Sequence, residues 1–247
     1  MKAIEKPQAI INITLLILLA IIALIVLMTG CTSERIEGNH DLVTVERSSQ
    51  PFSQVISQGS FSVKIISDSI SRVEVKAESN ILPYIYTMSD GTTITLGYTE
   101  GHNIHENYPV EIYLHTPVLQ GINLSGSGMV ESNGFISNSV NLKISGSGSI
   151  NSNFNTENMD ASISGSGNMV LTGFAKNTTF NVSGSGNIDA KALAQEHCFA
   201  DISGSGNITT NANKSLDATI SGSGNIFYLG NPVITTHISG SGNLIRY

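Results

Sequence analysis

Seven times the chain spells Ser-Gly-Ser-Gly, beginning at Ser125, Ser145, Ser164, Ser183, Ser203, Ser221 and Ser239, each time directly after Leu, Ile or Val. Glycine-rich backbone can cradle a phosphate where it opens a helix and carries a lysine, because its N–H groups then converge on the anion. None of the seven blocks holds a lysine, and each runs on into an alternating apolar pattern that reads as strand. A nucleotide site is not indicated. The nucleophile elbow Gly-x-Ser-x-Gly is absent as well, since here the glycines flank a single serine. A calcium-binding nonapeptide needs an Asp at a fixed place, and only Asp189 follows a block closely.

Two other groups of residues could do chemistry. His102 and His105 with Glu106 could clamp a metal if the loop folds back, but no further ligand at a recognisable spacing stands nearby, and a surface turn is the better account. His40, His115, His197 and His237 are isolated in sequence. Once the blocks are aligned, Asp160 and Asp217 share a column three repeats apart, and Asp201 and Asp217 are neighbours offset by two residues. Strand geometry puts the latter pair about 8 Å apart, within the range of the paired carboxylates of an inverting glycosidase. No aromatic sugar platform is expected beside them, so a polysaccharide-cleaving activity ranks below a non-enzymatic role. No cofactor is called for.

The elements that carry these residues follow from the spacing. Successive blocks lie 20, 19, 19, 20, 18 and 18 residues apart, a steady period that marks stacked supersecondary units. Inside each unit apolar residues fall at every second position, as in Leu142, Ile144 and Ile150, or Ala218, Ile220 and Ile226. Period two means extended strand. By that parity the glycines Gly126 and Gly128, Gly146 and Gly148, Gly165 and Gly167, Gly184 and Gly186, Gly204 and Gly206, Gly222 and Gly224, Gly240 and Gly242 face inward with the apolar residues. The serines and the following asparagine face outward. An inward glycine marks a corner or a narrow point, where no side chain can be accommodated. One unit at roughly 3.3 Å per residue has a perimeter near 60–65 Å, enough to close around a thin core. The expected fold is all-β: a single-chain β-solenoid, right-handed and β-helix-like, of about seven coils rising roughly 34 Å. Stacked equivalents would align Asn168, Asn187, Asn207, Asn225 and Asn243 into an amide ladder of the kind seen in cross-β assemblies.

Four segments result. Residues 1–30 form a signal peptide, 31–44 a tether, 45–120 irregular strands or first coils, and 121–247 the regular repeats. The front of the mature chain alternates too, with turn chemistry at "SDS", "SDG", "EGHN" and "TP". It holds most of the acid: eleven acidic against five basic residues over 32–120, and seven against five from Gly121 onward. The formal charge of -7 argues against a nucleic-acid partner. At the other end Arg246 and Tyr247 either blunt the last coil or leave it to pair weakly with a second copy, since uncovered solenoid ends expose strand edges.

The first thirty residues have a secretory layout. Lys2 and Lys6 precede an apolar stretch from Leu15 to Met28, which at 14 residues suits a signal sequence better than a span of about 20. Met28-Thr-Gly-Cys31 looks like a bacterial lipobox, with Met where Leu is usual, and the thiol of Cys31 would then carry a diacylglycerol. Two or three acyl chains such as palmitate hold a protein to a membrane, where one is marginal. Thr32 in the next position favours the outer membrane by the same resemblance. Cys198 is then left without a partner and is expected to be buried.

"YPVEIYLHTPVLQGINLSGSG" followed by the repeated blocks, together with the opening "QPFSQVISQGSFSVKI", resembles the auto-transporter adhesin, head GIN domain family over roughly Val45 to Leu244. The resemblance implies a β-solenoid on exported, often lipid-anchored bacterial proteins, with adhesion as the proposed role and no catalytic residues. Three roles stay open: a lipid-anchored envelope protein binding a glycan or a surface protein through its polar wall, a self-assembling structural lipoprotein, and a carbohydrate-active enzyme.

Overall fold

The structure, a computed structural model, describes residues 34–247. The segment expected as a signal peptide, 1–30, and Cys31, the expected lipidation site, lie outside the described residues. Nine strands precede the first Ser-Gly-Ser-Gly block: β1 (Glu34–Glu37), β2 (Leu42–Arg47), β3 (Gln54–Gln58), β4 (Ser62–Ser67), β5 (Arg72–Glu78), β6 (Ile85–Ser89), β7 (Thr93–Tyr98), β8 (His102–His105) and β9 (Glu111–Thr116). Nine more carry the blocks: β10 (Gly121–Gly126), β11 (Met129–Gly146), β12 (Ser149–Gly165), β13 (Asn168–Gly184), β14 (Asn187–Gly204), β15 (Asn207–Gly222), β16 (Asn225–Leu229), β17 (Val233–Gly240) and β18 (Asn243–Arg246). β1 and β8 pair with each other as a two-stranded ribbon, and residues 34–36 with 101–103 form a small unit. The remaining strands belong to the second unit, described from here on.

From β10 onward each coil pairs in parallel with the next, and all seven blocks superpose. Gly126 stands opposite Gly146, and Gly165, Gly184, Gly204, Gly222 and Gly240 continue the file. Each long strand bends near its middle. In β12 the buried positions alternate up to Thr156 and resume at Met159, so two arms meet at a corner around Glu157. The second corner is the Ser-Gly-Ser-Gly block itself. The core is built of stacked files such as Leu124, Ile144, Ile163, Val182, Ile202 and Ile220, all within 2% of full burial. Removing a file of branched aliphatic chains from water is the main stabilising term of the fold.

The two glycines of a block act differently. The second is buried in all seven coils, as the parity requires. A Cβ on Gly186 would lie 2.6 Å from both the Gly167 carbonyl oxygen and Ile163 Cγ2, so a file of core side chains already fills that space. The first glycine departs from the expectation. Its φ is +124° to +143° in every coil, which turns its missing side chain along the stack rather than toward the axis, and it is only half-buried or exposed. That turn aims its carbonyl at the coil above. The oxygen of Gly184 accepts from both Ser205 N (2.8 Å) and Gly206 N (3.1 Å). One residue type with φ > 0 thereby satisfies two backbone donors at the corners of Gly126, Gly165, Gly184, Gly204 and Gly222, while the Gly146 oxygen accepts from Ser166 N at 2.9 Å.

The unequal coil lengths are absorbed in one arm. Register shifts fall between Ser132 and Phe135, between Val170 and Thr172, and between Asp189 and His197, all in the arm that follows the block. The arm that precedes the block pairs without a break from Asn158 opposite Asn177 to Gly165 opposite Gly184, and likewise in the other coils.

Regular stacking begins before Gly121. β3 lies under β10, with Gln58 opposite Ser125, and β4 lies under β11. Gly59 takes the place of a first glycine, its N–H donating to the Ser125 carbonyl at 3.1 Å. Phe61 stands where a second glycine would be and is fully buried. A further, incomplete layer of β7 and β9 lies beneath β3 and β4. The chain therefore winds down one layer, then returns to β10 on the other side of β3. Antiparallel strands close this end: β5 on β9, β2 on β5, and β6 on β7. The stretch expected as a tether thus contains β1 and the start of β2. At the opposite end every residue of β17 is exposed. Arg246 donates to the Gly230 carbonyl at 3.2 Å, and the Tyr247 ring lies edge-on to Phe227 with Lys191 Nζ 3.9 Å from its centre.

Candidate functional site

The unbroken arm presents a lattice of outward side chains, and its composition follows directly from the period-two pattern. Reading up the stack, one column holds Asn141, Asp160, Thr179, Phe199, Asp217 and Thr235. The next holds Lys143, Ser162, Asn181, Asp201, Thr219 and His237, and then come the serines of the blocks. Neighbouring coils lie about 4.8 Å apart and alternate residues along a strand about 6.7 Å apart, so each outward group has close neighbours in two directions.

Across the corner the asparagine file is hydrogen-bonded along the stack. Asn187 Nδ2 donates to Asn168 Oδ1 and Asn207 Nδ2 to Asn187 Oδ1, both at 3.0 Å. Asn225 and Asn243 continue at 3.4 and 3.3 Å, and their backbone N–H groups donate to the same oxygens at 3.2 Å. Met129 and Ser149 occupy the two lower places. A second ladder runs along the far corner, where Asn177 Nδ2 donates to Asn158 Oδ1 at 3.0 Å and the His197 ring lies 2.7 Å from Ser215 Oγ. One position before it the charges alternate: Glu157, Lys176, Glu196 and Lys214, with Lys214 Nζ 2.7 Å from Glu196 and Lys176 Nζ 3.8 Å from Glu157. The hydrogen bond from Lys214 holds the Glu196 carboxyl below the ordinary glutamate value. These corner groups satisfy one another.

Asp201 and Asp217 are placed as the alignment required. Asp201 stands opposite Thr219 and Asp217 opposite Phe199, so the two carboxylates are diagonal neighbours. The expectation that no aromatic group stands beside them is overturned. Phe199 lies directly below Asp217 and two residues before Asp201 on the outer face, 39% exposed. The sequence spacing of 18 between Phe199 and Asp217 hides this adjacency until the coils are registered. Asp160 lies three coils below Asp217 and takes no part. Beside Asp201 a shallow depression of about 300 Å³ is floored by Ile163 and Val182 and rimmed by Ser164, Ser183, Ser203 and Asn181.

The capping strands carry the other cluster of charge. His115, almost fully buried, has Nδ1 3.1 Å from Asp68 Oδ2 and 3.3 Å from Arg72 Nη2. Arg72 also reaches Glu74 at 3.7 Å. A hydrogen bond from the Ser69 backbone, with His115 and Arg72 behind it, holds Asp68 below its ordinary value. A cavity of about 470 Å³ opens between Arg47, Arg72, Asp68 and Glu46. Arg47 is committed to the Ile85 and Leu82 carbonyls, at 2.6 and 3.0 Å. Next to this cluster Lys76 pairs with Glu111 at 2.8 Å, and Tyr113 donates to the same carboxylate. The geometry ties β5 to β9 through His115, Arg72, Lys76 and Glu111.

Glu106, expected beside His102 and His105, accepts from Ser60 Oγ at 3.1 Å and sits against Tyr98. Among the described residues no group of three or more His, Cys, Asp or Glu side chains converges as a metal site. Cys198 is buried and free, with Thr210 donating to its sulfur at 3.3 Å, and burial pushes its thiol pKa up. Among the described residues no helix is long and apolar enough to cross a membrane.

Comparison with known proteins gives a consistent picture. The profile of the family described as "Putative auto-transporter adhesin, head GIN domain" matches residues 51–232. A "putative adhesin" from Bacteroides fragilis has the same fold, with a TM-score of 0.81 and 22% identity, over 86% of this chain and all of its own. A "putative lipid binding protein" from Parabacteroides distasonis follows with a TM-score of 0.74, 24% identity, and 87% and 100% of the two chains. A "putative adhesin" from Parabacteroides merdae gives 0.69 and 21%, over 87% and 99%. None of the curated proteins compared with the chain matches it.

Proposed function

The chain belongs to the auto-transporter adhesin, head GIN domain family, and from that membership we propose that it is a non-enzymatic binding protein of the bacterial cell envelope. In this reading it is exported, tethered through a lipid on Cys31, and binds a glycan through the outer face of the unbroken arm. The observation that carries the reading is the constancy of that arm. Coil length varies by two residues, yet every adjustment falls in the other arm. The result is a rigid, repeating display of Ser, Thr, Asn and Asp side chains. Rigid display lowers the ordering cost of binding, and many weak equivalent contacts suit adhesion better than turnover. Solenoids commonly use such extended surfaces for recognition.

Vesicles carrying the full chain, passed over surfaces coated with different glycans, test the binding role. Retention on at least one coating above that of protein-free vesicles is expected, and equal retention everywhere contradicts the reading. Labelling cells with a fatty-acid analogue tests the anchor. Label should be lost with Cys31→Ser, together with membrane association, whereas a labelled Cys31→Ser chain contradicts acylation there.

A further inference from the structure

The outer face of the unbroken arm is polar almost throughout, and among the described residues it carries one phenyl ring, Phe199. Its neighbours up and down the stack are Asp217 and Thr179, and its neighbours along the strand are His197 and Asp201. Diagonal to it are Asn181 and Thr219. An isolated exposed apolar residue is ordinary on a protein surface. Here, however, although His197 is bonded to Ser215, the ring also stands beside hydrogen-bonding groups that are not spent on each other. The corner asparagines donate to one another, whereas no side chain of the described residues engages the Asp201 and Asp217 carboxylates or the Asn181 amide. The depression beside Asp201 continues the patch toward the serine file.

From this arrangement we infer that Phe199, Asp201, Asp217 and Asn181 form a subsite for a neutral pyranose unit of a glycan chain. A pyranose has an apolar face of C–H groups and a rim of hydroxyls. Phe199 offers the flat apolar surface for the first, and the carboxylates and amide offer acceptors and a donor for the second, with charge-assisted bonds from hydroxyl to carboxylate the stronger ones. The chain direction is along the stack, where the coil rise is comparable to the length of one extended β-linked sugar and the serine hydroxyls repeat beside it. Charge selects the class. Asp160, Asp201 and Asp217 lie on this face and, among the described residues, Lys143 is its one Lys or Arg side chain, so uronic and sialic acids are repelled. The aspartates act as hydrogen-bond acceptors; no bond is cleaved.

The inference rests on the glycan-binding reading, and the test separates the two. The full chain, purified in detergent, is applied to an array of neutral, uronic-acid and sialylated oligosaccharides, and the strongest neutral binder is then titrated by calorimetry. Phe199→Ala is expected to weaken binding about tenfold, equivalent to about 1.4 kcal/mol. Phe174→Ala, which removes an equally exposed ring from the other arm, should stay within about twofold, an error-sized change. Asp201→Asn and Asp217→Asn provide independent readouts at half-exposed and exposed positions should Phe199→Ala fold poorly, and each should weaken binding several-fold. Neutral-glycan binding unchanged by all three variants overturns the subsite while leaving the function intact. Binding of acidic sugars only overturns the ligand class. No binding to any sugar overturns both.

Discussion

Replacing Gly186 by alanine adds one methyl group at the centre of the stack, and its consequence can be worked from the geometry. The new Cβ would lie 2.6 Å from the Gly167 carbonyl oxygen and 2.6 Å from Ile163 Cγ2. Ordinary carbon contacts begin near 3.5 Å, so about 0.9 Å must be found. The oxygen belongs to the backbone of the coil below and cannot rotate away. It also accepts the Asn187 N–H at 3.0 Å, and Gly186 N–H itself bonds Gly165 at 3.1 Å. Spreading the coils stretches both bonds. Overpacking costs roughly 1–3 kcal/mol and a weakened hydrogen bond about 1 kcal/mol, together about 2–4 kcal/mol. For a chain of this size that lowers Tm by about 4–16 °C. The sign is as informative as the size. In a flexible linker, Gly→Ala restricts the unfolded chain and stabilises by about 0.4–1 kcal/mol. Differential scanning calorimetry of Gly186→Ala beside Ser185→Ala, an exposed neighbour expected to stay within about 0.5 kcal/mol, decides the matter. A Gly186→Ala chain that melts with the parent, or above it, refutes the reasoning.

Three further outcomes follow from the same contacts. Asn207→Leu breaks the bonds to Asn187 and Asn225 and leaves neighbouring amides to water, so Tm should drop by a few degrees, about 1 kcal/mol in all; an unchanged melt would show that the ladder adds nothing. Burial pushes the Glu78 carboxyl up, but the backbone N–H groups of His40, Asn107 and Tyr108 outweigh it and hold the group below its ordinary value. The contribution is therefore complete above about pH 4.3 and lost as pH falls through the depressed folded value. Glu78→Gln should lower Tm at pH 7 and flatten its fall between about pH 5 and pH 3, and parallel Tm profiles for parent and variant would contradict this. Cys198 should resist a thiol reagent in the folded chain and react on unfolding, with modification rates read by absorbance; prompt labelling of native protein would place it outside the core.

Much of the fold was legible because two local signals agree. Period-two alternation gave the strands, and the seven recurring blocks gave the coil and its corner. The asparagine file could be named in advance since those residues sit at a constant distance from the glycines. Other features were hidden for physical reasons. Gly59 and Phe61 fill the corner stations of an earlier coil, but with Gln58 before and an aromatic in place of the second glycine the pattern "QGSF" does not look like a repeat. That coil needs no second glycine, because the layer beneath it is not a regular coil. The incomplete layer of β7 and β9 could not be foreseen, since the chain visits it out of stacking order. The half-buried first glycine escaped because strand parity assumes φ < 0 throughout. Phe199 and Asp217 touch the same surface patch only when coils of 20 and 18 residues are brought into register. The far-corner ladder of Asn158 and Asn177 and the alternating charges beside it were obscured in the same way, because the length changes fall just before them.

The stacked file on which both fold and function depend is most directly measured by pulsed electron paramagnetic resonance between paired spin labels on the second serines, in a chain whose two cysteines are replaced. Labels at Ser147 and Ser205, Ser147 and Ser223, and Ser147 and Ser241 span three, four and five coil steps. Mean distances should increase by about 4.8 Å from each pair to the next, from roughly 14 Å to roughly 24 Å, each within a narrow distribution. Broad distributions, or distances that do not climb in equal steps, would contradict the stack.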